Sequence, residues 1–294
     1  MSRLGHSAAF SAVIAIMCAI PGTPDSQPPV QAPATSRLVL AAATDPRNRP
    51  LVDVGPDDFV VSEAGAAREV LSVRIADYPI VVAIDTRDAV PADLTLTVKA
   101  AKHFIERLGG DRPVVVSTLG RSARAIATFD DPRAAILERL AALEPDAPAA
   151  PGAAPARVLT GLAVAAGVLR DSESLFSTVV MLSSAPGEDA AGGATDDPVA
   201  VIVRSGVTIH AIVNQSRGTA GVADLRRLVQ QTRGELTPIY SATSFQAALD
   251  RLADRLSSEL LIEYISPSGA KATDVKVGIR IPGARVRGLG VAPR

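Results

Sequence analysis

At 294 residues, the chain is long enough to bury a sizeable core in one large domain or two smaller ones. Its net charge of −1 at pH 7, with acidic and basic residues interspersed, argues against a nucleic-acid-binding surface. Aromatic residues make up 3% of the chain and tryptophan is absent, which disfavours stacking platforms for sugars or bases.

Residues 1–22 have the pattern of a secretory signal peptide. A weakly basic start precedes the apolar run Ala8–Ile20, which Pro21-Gly22 interrupts. The run is too short for a comfortable transmembrane span, so we expect an exported chain whose mature form does not span the membrane. The cysteine Cys18 follows the large residue Met17, whereas a lipid-anchoring signal has a small residue there. We therefore expect a periplasmic, cell-surface or secreted protein without a lipid anchor.

Residues 23–36 are rich in proline, serine, glutamine and alanine and predict a disordered linker. Residues 37–77 predict an N-terminal β segment of three or four antiparallel strands, too few to be stable alone. The expected elements are strands at Leu38–Ala43, Phe59–Glu63 and Arg68–Ile75, a helical turn at Pro56–Asp58 and a hairpin at Ala64–Ala67.

Residues 78–257 alternate between strand and helix patterns, which indicates βαβ units in a doubly wound, mostly parallel sheet. Its central strand is Ile80–Asp85, a run of β-branched and small apolar residues that ends in an aspartate. Further strands are expected at Pro113–Leu119, Ser177–Ser184, Val207–Val213 and Glu235–Tyr240, with an antiparallel edge strand at Ala123–Phe129. Helices are expected at Ala92–Leu108, Pro132–Leu143, Val158–Arg170, Val199–Ser205, Val222–Thr232 and Phe245–Leu256.

Residues 258–294 return to the two-residue period of half-buried strands. Leu260, Ile262 and Tyr264 alternate with other residues, and Val275–Ile281 repeats the pattern. We expect this C-terminal β-ribbon to pack with residues 37–77 in a small discontinuous β domain. Each ribbon would then cover the apolar face that the other leaves exposed.

The order of elements over Pro79–Leu256 resembles a von Willebrand factor type A domain. The flanks Asp57–Glu63 and Arg68–Val73 are similar to the segment that precedes this domain in exported bacterial VWFA-related proteins. The segments Tyr264–Gly269 and Pro282–Arg287 resemble the C-terminal ribbon of the same proteins. The resemblance covers nearly the whole mature chain and implies the fold derived above.

The resemblance also implies a position for a metal-ion-dependent adhesion site. Metal-binding members use an Asp-x-Ser-x-Ser turn after the first strand, a threonine in a second loop and an aspartate after the fourth strand. These groups supply the oxygen ligands that Mg²⁺ prefers. Here Asp85 matches the first aspartate, but Arg87 and Ala89 replace the two serines. The threonine position falls on or near Ala156, and the second aspartate position falls on Ser184.

We therefore predict a degenerate site without metal or cofactor, because Arg87 would place a fixed positive charge where the cation belongs. Asp85 is expected to pair with Arg87 or to cap the next helix. The alternative is residual Mg²⁺ binding through Asp85 and Asp88, with Ser184 as a further candidate ligand.

Other titratable residues lack the spacing of catalytic or metal motifs. His103 and His210 are interpreted as structural or surface histidines. The acidic residues of the Pro186–Asp197 loop, which include Glu188 and Asp189, form either a solvated loop or a Ca²⁺ loop. Arginines on the C-terminal ribbon are interpreted as charges that protect an edge strand. They are Arg280, Arg285 and Arg287.

We interpret the chain as a non-catalytic, exported protein-binding module or scaffold that uses the C-terminal edge of its parallel sheet. The predicted binding edge comprises Asp85, Arg87, Asp88, Ser184, Glu188 and Asp189. The partner is expected to be a protein and not a nucleic acid. The alternatives are a metal-dependent adhesion protein that uses Asp85 and Asp88, and an enzyme of unrecognised type.

Overall fold

The computed structural model describes residues 34–87, 89–109, 112–120, 123–147, 157–184, 197–268 and 273–292. The predicted signal peptide and nearly all of the predicted linker lie outside these ranges. So do several residues singled out in the sequence, namely Cys18, Asp88, Ala156, Glu188 and Asp189. Among the described residues, no helix combines the length and the apolar composition that crossing a membrane requires.

The described elements follow the predicted order. The strands are β1 (Ala34–Thr44), β2 (Phe59–Glu63), β3 (Ala66–Arg68), β4 (Val70–Ile75), β5 (Ile80–Ile84), β6 (Val114–Thr118), β7 (Arg124–Ala125), β8 (Thr178–Ser183), β9 (Thr208–Asn214), β10 (Leu236–Ile239), β11 (Glu259–Pro267), β12 (Val275–Ile279) and β13 (Arg285–Val291). The helices are α1 (Pro91–Arg107), α2 (Arg133–Ala141), α3 (Val158–Arg170), α4 (Pro198–Ser205), α5 (Val222–Gln231) and α6 (Ser244–Leu256), and a short 3₁₀ turn spans Pro56–Asp58.

Strand β5 lies inside a six-stranded sheet with the order β10-β9-β8-β5-β6-β7. All neighbouring pairs in this sheet are parallel except β6 and β7. One hydrophobic cluster packs α1, α2 and α6 against one face of the sheet, and a second cluster packs α3, α4 and α5 against the other. Every residue of β5 is buried, because helices cover both faces, and this explains its uninterrupted apolar sequence. The predicted doubly wound α/β fold is confirmed.

The N- and C-terminal segments pair with one another in two further sheets, with the orders β13-β1-β11-β4 and β12-β2-β3. Strand β1 lies between β11 and β13 and is antiparallel to both. Strand β2 pairs with β12 and forms a hairpin with β3. Apolar residues of both segments, among them Phe59, Ile262 and Tyr264, share one buried cluster. The predicted pairing of the two terminal ribbons is therefore confirmed.

Three strands differ most in extent from the prediction. Strand β1 starts at Ala34, inside the predicted linker, because its first residues pair with the end of β11 at Pro267. The single strand predicted over Arg68–Ile75 is wrong: Arg68 pairs with β2, whereas Val70 pairs with β11 in the other sheet. The predicted edge strand Ala123–Phe129 contains only the two paired residues of β7.

Candidate functional site

The carboxyl end of β5 is the topological switch point of the parallel sheet. The chain leaves β5 through α1 toward β6 on one side, while β8 and β9 lie on the other side. Ligands of open α/β sheets bind in the crevice that forms outside such strand ends. Asp85 directly follows β5, and Ser183 is the last residue of the adjacent β8. The fold thus brings these two polar residues to the crevice.

Asp85 and Arg87 form a buried ion pair at this crevice. The Arg87 Nε donates to Asp85 Oδ1 at 2.9 Å, and Nη2 donates to Oδ2 at 3.0 Å. The Arg87 backbone N–H also donates to Oδ1, at 3.1 Å, and the Ser183 hydroxyl donates to Oδ2 at 2.7 Å. The side chains of Asp85 and Arg87 are only 1% and 9% exposed. The predicted pairing of these two residues is confirmed.

These contacts occupy all the hydrogen-bond acceptor positions of the Asp85 carboxylate. A carboxylate offers about four acceptor positions, and Asp85 receives four hydrogen bonds, two on each oxygen. The guanidinium places its positive charge against both oxygens, where a cation would have to bind. In this arrangement the Asp85 oxygens leave no acceptor position open for a divalent metal. Among the described residues, no group of three potential His, Cys, Asp or Glu ligands occurs. Helix capping by Asp85, the other expectation, is not found, since Val90 precedes the first residue of α1.

A second polar contact connects the segment after α2 to the same crevice. The Thr86 hydroxyl donates to Asp146 Oδ1 at 2.8 Å, and the Asp146 backbone N–H donates to the Thr86 carbonyl at 3.0 Å. Gly120 makes this contact possible, because a Cβ at that position would overlap both the Asp146 carboxylate and the Thr86 hydroxyl. The sequence did not predict that Thr86, Gly120 and Asp146 lie together. A glycine two residues after the end of the buried strand β6 was the signal for a close approach of another group.

A polar groove of about 680 Å³ opens beside this contact. Its lining includes Thr86, Asp146, Arg124 of β7 and Glu144. Arg139 also lines the groove, but its guanidinium is engaged by Asp131 at 2.7 Å. The groove is large enough to receive side chains of a bound partner, and its lining carries both signs of charge.

The remaining predicted residues have different locations. Ser184 is buried directly after β8 and lies at the same edge as Asp85. His103 lies half exposed on α1, with Nε2 3.4 Å from an Asp250 carboxylate oxygen, which agrees with a surface histidine. His210 is buried in β9, where burial, together with the charges of Arg255 and Arg287, lowers its pKa to about 3. A neutral, structural imidazole follows from that environment.

Solved structures match this architecture. The chain aligns with a von Willebrand factor type A protein from Catenulispora acidiphila at a TM-score of 0.53 and 13% identity, over 90% of this chain and 74% of that one. This chain has a von Willebrand type A-like fold. Proximal thread matrix protein 1 from the mussel byssus aligns at a TM-score of 0.50 and 14% identity, over 63% of this chain and 49% of that one. The chain thus spans about half the length of the byssus protein.

No protein-family model matches the sequence, and no curated protein matches it either. The identities to the solved structures are low, so these likenesses concern the fold. Within the type A-like fold, Asp85 follows the central strand at the switch point, and the Arg87 guanidinium is bound to it.

Proposed function

We propose that this chain is an exported, non-catalytic module that binds a protein partner at the carboxyl edge of its type A-like sheet without a bridging cation. The observation that carries this proposal is the buried Asp85–Arg87 pair. Its four hydrogen bonds use the acceptor positions that a metal would need. The signal-peptide pattern of residues 1–22 supports export to the periplasm, the cell surface or the medium.

The groove next to the ion pair supplies the contacts for such a partner. Arg124 and Glu144 are exposed at its lining, whereas Thr86 and Asp146 are tied to each other. A partner would therefore meet a fixed wall and two charged side chains that are free to adapt. Binding would rest on shape and on hydrogen bonds. The charges of Arg124 and Glu144 would contribute specificity and association rate more than raw affinity.

The non-catalytic part of the proposal rests on the surroundings of the hydroxyl groups. A serine nucleophile needs a general base that can take its proton. The Ser183 hydroxyl instead donates to the saturated Asp85 carboxylate. In the described part of the chain, His103 of α1 lies beside Asp250 of α6, and His210 borders a cavity at the other end of the parallel strands.

Photo-crosslinking tests the proposed edge. We would place a photoreactive residue at Glu144 in the groove and, as a matched control, at the exposed Lys99 on α1. The full chain would be expressed in its source cells, and crosslinked proteins would be identified by mass spectrometry with and without a metal chelator. We expect one partner to be captured from position 144 and not from position 99, equally under both conditions. Capture from both positions, or loss of capture with chelator, would contradict the proposal.

The second candidate function is metal-dependent adhesion. Asp85 is retained at the first position of the adhesion motif, and this retention favours residual binding through Asp85 and Asp88. Such binding requires the Arg87 guanidinium to leave the carboxylate first. A metal titration, described at the end of the Discussion, separates the two candidates.

A further inference from the structure

A second cavity lies at the opposite end of the parallel strands, between this sheet and strand β13. Its volume is about 430 Å³, and it adjoins a pocket of about 370 Å³ with which it shares Tyr78, Thr178 and Arg233. Thr178 and Thr208 are the first residues of β8 and β9, and Arg287 belongs to β13. The cavity therefore lies where the two parts of the fold meet. It is of the size that binds small molecules.

Three arginines line this cavity: Arg233, Arg255 and Arg287. The Arg255 guanidinium is engaged by Glu235. Arg233 and Arg287 are exposed, and within the described ranges no carboxylate lies at ion-pair distance from either guanidinium. The lining contains three arginines against two glutamates, so one positive charge is uncompensated even when both glutamates are ionised. We call this the arginine cavity.

His210 and Glu259 complete the lining of the arginine cavity. His210 Nδ1 accepts the backbone N–H of Glu235 at 3.1 Å and lies 3.1 Å from Arg255 Nη2, so the imidazole proton is on Nε2. Burial is the main cause of the lowered pKa of His210, and the nearby charges of Arg255 and Arg287 lower it further. Glu259 accepts the Tyr78 hydroxyl at 2.5 Å, so this carboxylate already has a donor of its own.

The backbone at Arg233 forms the left-handed end of helix α5. Arg233 has a φ of 61° two residues after the last residue of α5, a left-handed position that favours glycine and that commonly ends a helix. The next residue, Gly234, cannot carry a side chain, because its Cβ would overlap the Ile209 carbonyl. Arg233 occupies this position, and its Nη1 lies 3.5 Å from the point where a Cβ would stand on Gly290 of β13. The turn thereby brings the Arg233 guanidinium close to β13.

We propose that the arginine cavity binds a small anion that carries carboxylate or phosphate groups, held between Arg233 and Arg287 above His210 and Arg255. Guanidinium groups match the oxygens of both kinds of anion in bidentate geometry. The anion would connect β13 of the small β domain to the turn that precedes β10. This site is distinct from the proposed protein-binding edge, because it lies at the other end of the parallel strands.

The test uses the full chain and two probes, citrate and inorganic phosphate, at constant ionic strength. Calorimetry and thermal melting measure the binding. We expect one of the two anions to bind saturably with one site per chain and to raise the melting temperature, and the anion that does so identifies the ligand class. Arg233→Gln and Arg287→Gln should each weaken this binding about tenfold or more, because each removes charged hydrogen bonds.

Two variants with the same charge change serve as controls. Arg226→Gln lies on the exposed side of α5, and Arg285→Gln lies on β13 outside the cavity lining. Both should bind the anion as the unmodified chain does. Equal weakening in the controls would mean diffuse charge attraction, and absence of saturable binding to both probes would mean no site; either result overturns the proposal. A lower melting temperature of Arg233→Gln or Arg287→Gln without anion, with unchanged binding, would assign these arginines a structural role and also overturn it.

Discussion

Replacing Arg87 by methionine tests whether the ion pair at the switch point is a buried, saturated unit. Arg87→Met keeps most of the aliphatic length but removes the two guanidinium hydrogen bonds of 2.9 and 3.0 Å. The Asp85 side chain, 1% exposed, then keeps only the Ser183 hydroxyl and one backbone N–H. Removal of one partner from a buried ion pair costs about 3–5 kcal/mol. Because two donors remain, we expect a loss of about 3 kcal/mol in the free energy of unfolding.

Replacing the acidic partner, Asp85, should lower the free energy of unfolding by less. In Asp85→Ala the arginine is released from a loop position and can turn toward water, so we expect a loss of about 1–2 kcal/mol. The double variant should resemble Asp85→Ala, so the coupling energy between the two side chains should equal the cost of Arg87→Met, about 3 kcal/mol. Urea unfolding, followed by circular dichroism, measures all four proteins.

Arg107→Met is the matched control. Arg107 also pairs with a carboxylate, that of Asp254, but both side chains are about half exposed. Exposed ion pairs contribute little, so the urea midpoint should stay nearly unchanged. If Arg87→Met shifted the midpoint no more than this control, or if the two changes at the switch point were additive, the pair would not be the buried unit described above.

Two further predictions concern His210 and Gly120. The folded-state pKa of His210, about 3, lies below its ordinary value of 6.5, so the unfolded chain binds this proton first. The contribution of the neutral imidazole to the free energy of unfolding should therefore be fully present above pH 6.5 and should fall by about 1.4 kcal/mol per pH unit below it. His210→Gln should remove this pH dependence in urea titrations at several pH values. Burial raises the pKa of Glu259, so this residue changes stability with pH in the opposite direction. It does so equally in the unmodified chain and in His210→Gln, so the comparison of the two isolates the effect of His210. Gly120→Ala should cost about 1–3 kcal/mol by overlap with Asp146, whereas Gly167→Ala, with open space around its Cβ, should stabilise helix α3 by about 0.5–1 kcal/mol in the same assay.

Specific results would contradict the predictions for His210 and Gly120. An unchanged acid slope in His210→Gln would mean that the imidazole is protonated in the folded state at those pH values. A Gly120→Ala variant as stable as the Gly167→Ala variant would mean that Asp146 does not pack against the switch point.

Much of the fold follows from local patterns in the sequence. Ile80–Ile84 and Thr178–Ser183 read as buried parallel strands because helices cover both faces of the sheet, which leaves continuous apolar runs. The α3 helix, Val158–Arg170, begins and ends where its periodicity predicts. The replacement of a motif serine by Arg87 was sufficient to predict its pairing with Asp85, because the two residues are neighbours in one turn.

The features that the sequence did not reveal depend on distant residues. Thr86 and Asp146 are 60 positions apart, and no local pattern connects them. The break between β3 and β4 depends on which sheet each strand joins, and both sheets are completed by C-terminal strands. The arginine cavity likewise combines residues that are distant in the sequence, at the turn of Arg233 and on β13. In the sequence alone, each of its arginines therefore resembles an ordinary charge on a surface or an edge strand.

Calorimetric titration of the full chain with Mg²⁺, and separately with Mn²⁺, tests most directly whether the carboxyl edge works without a cation. We expect no saturable heat and no change in melting temperature, both in the unmodified chain and in Asp85→Ala. Saturable binding in the unmodified chain that Asp85→Ala abolishes would contradict this expectation, and it would assign the edge to metal-dependent adhesion.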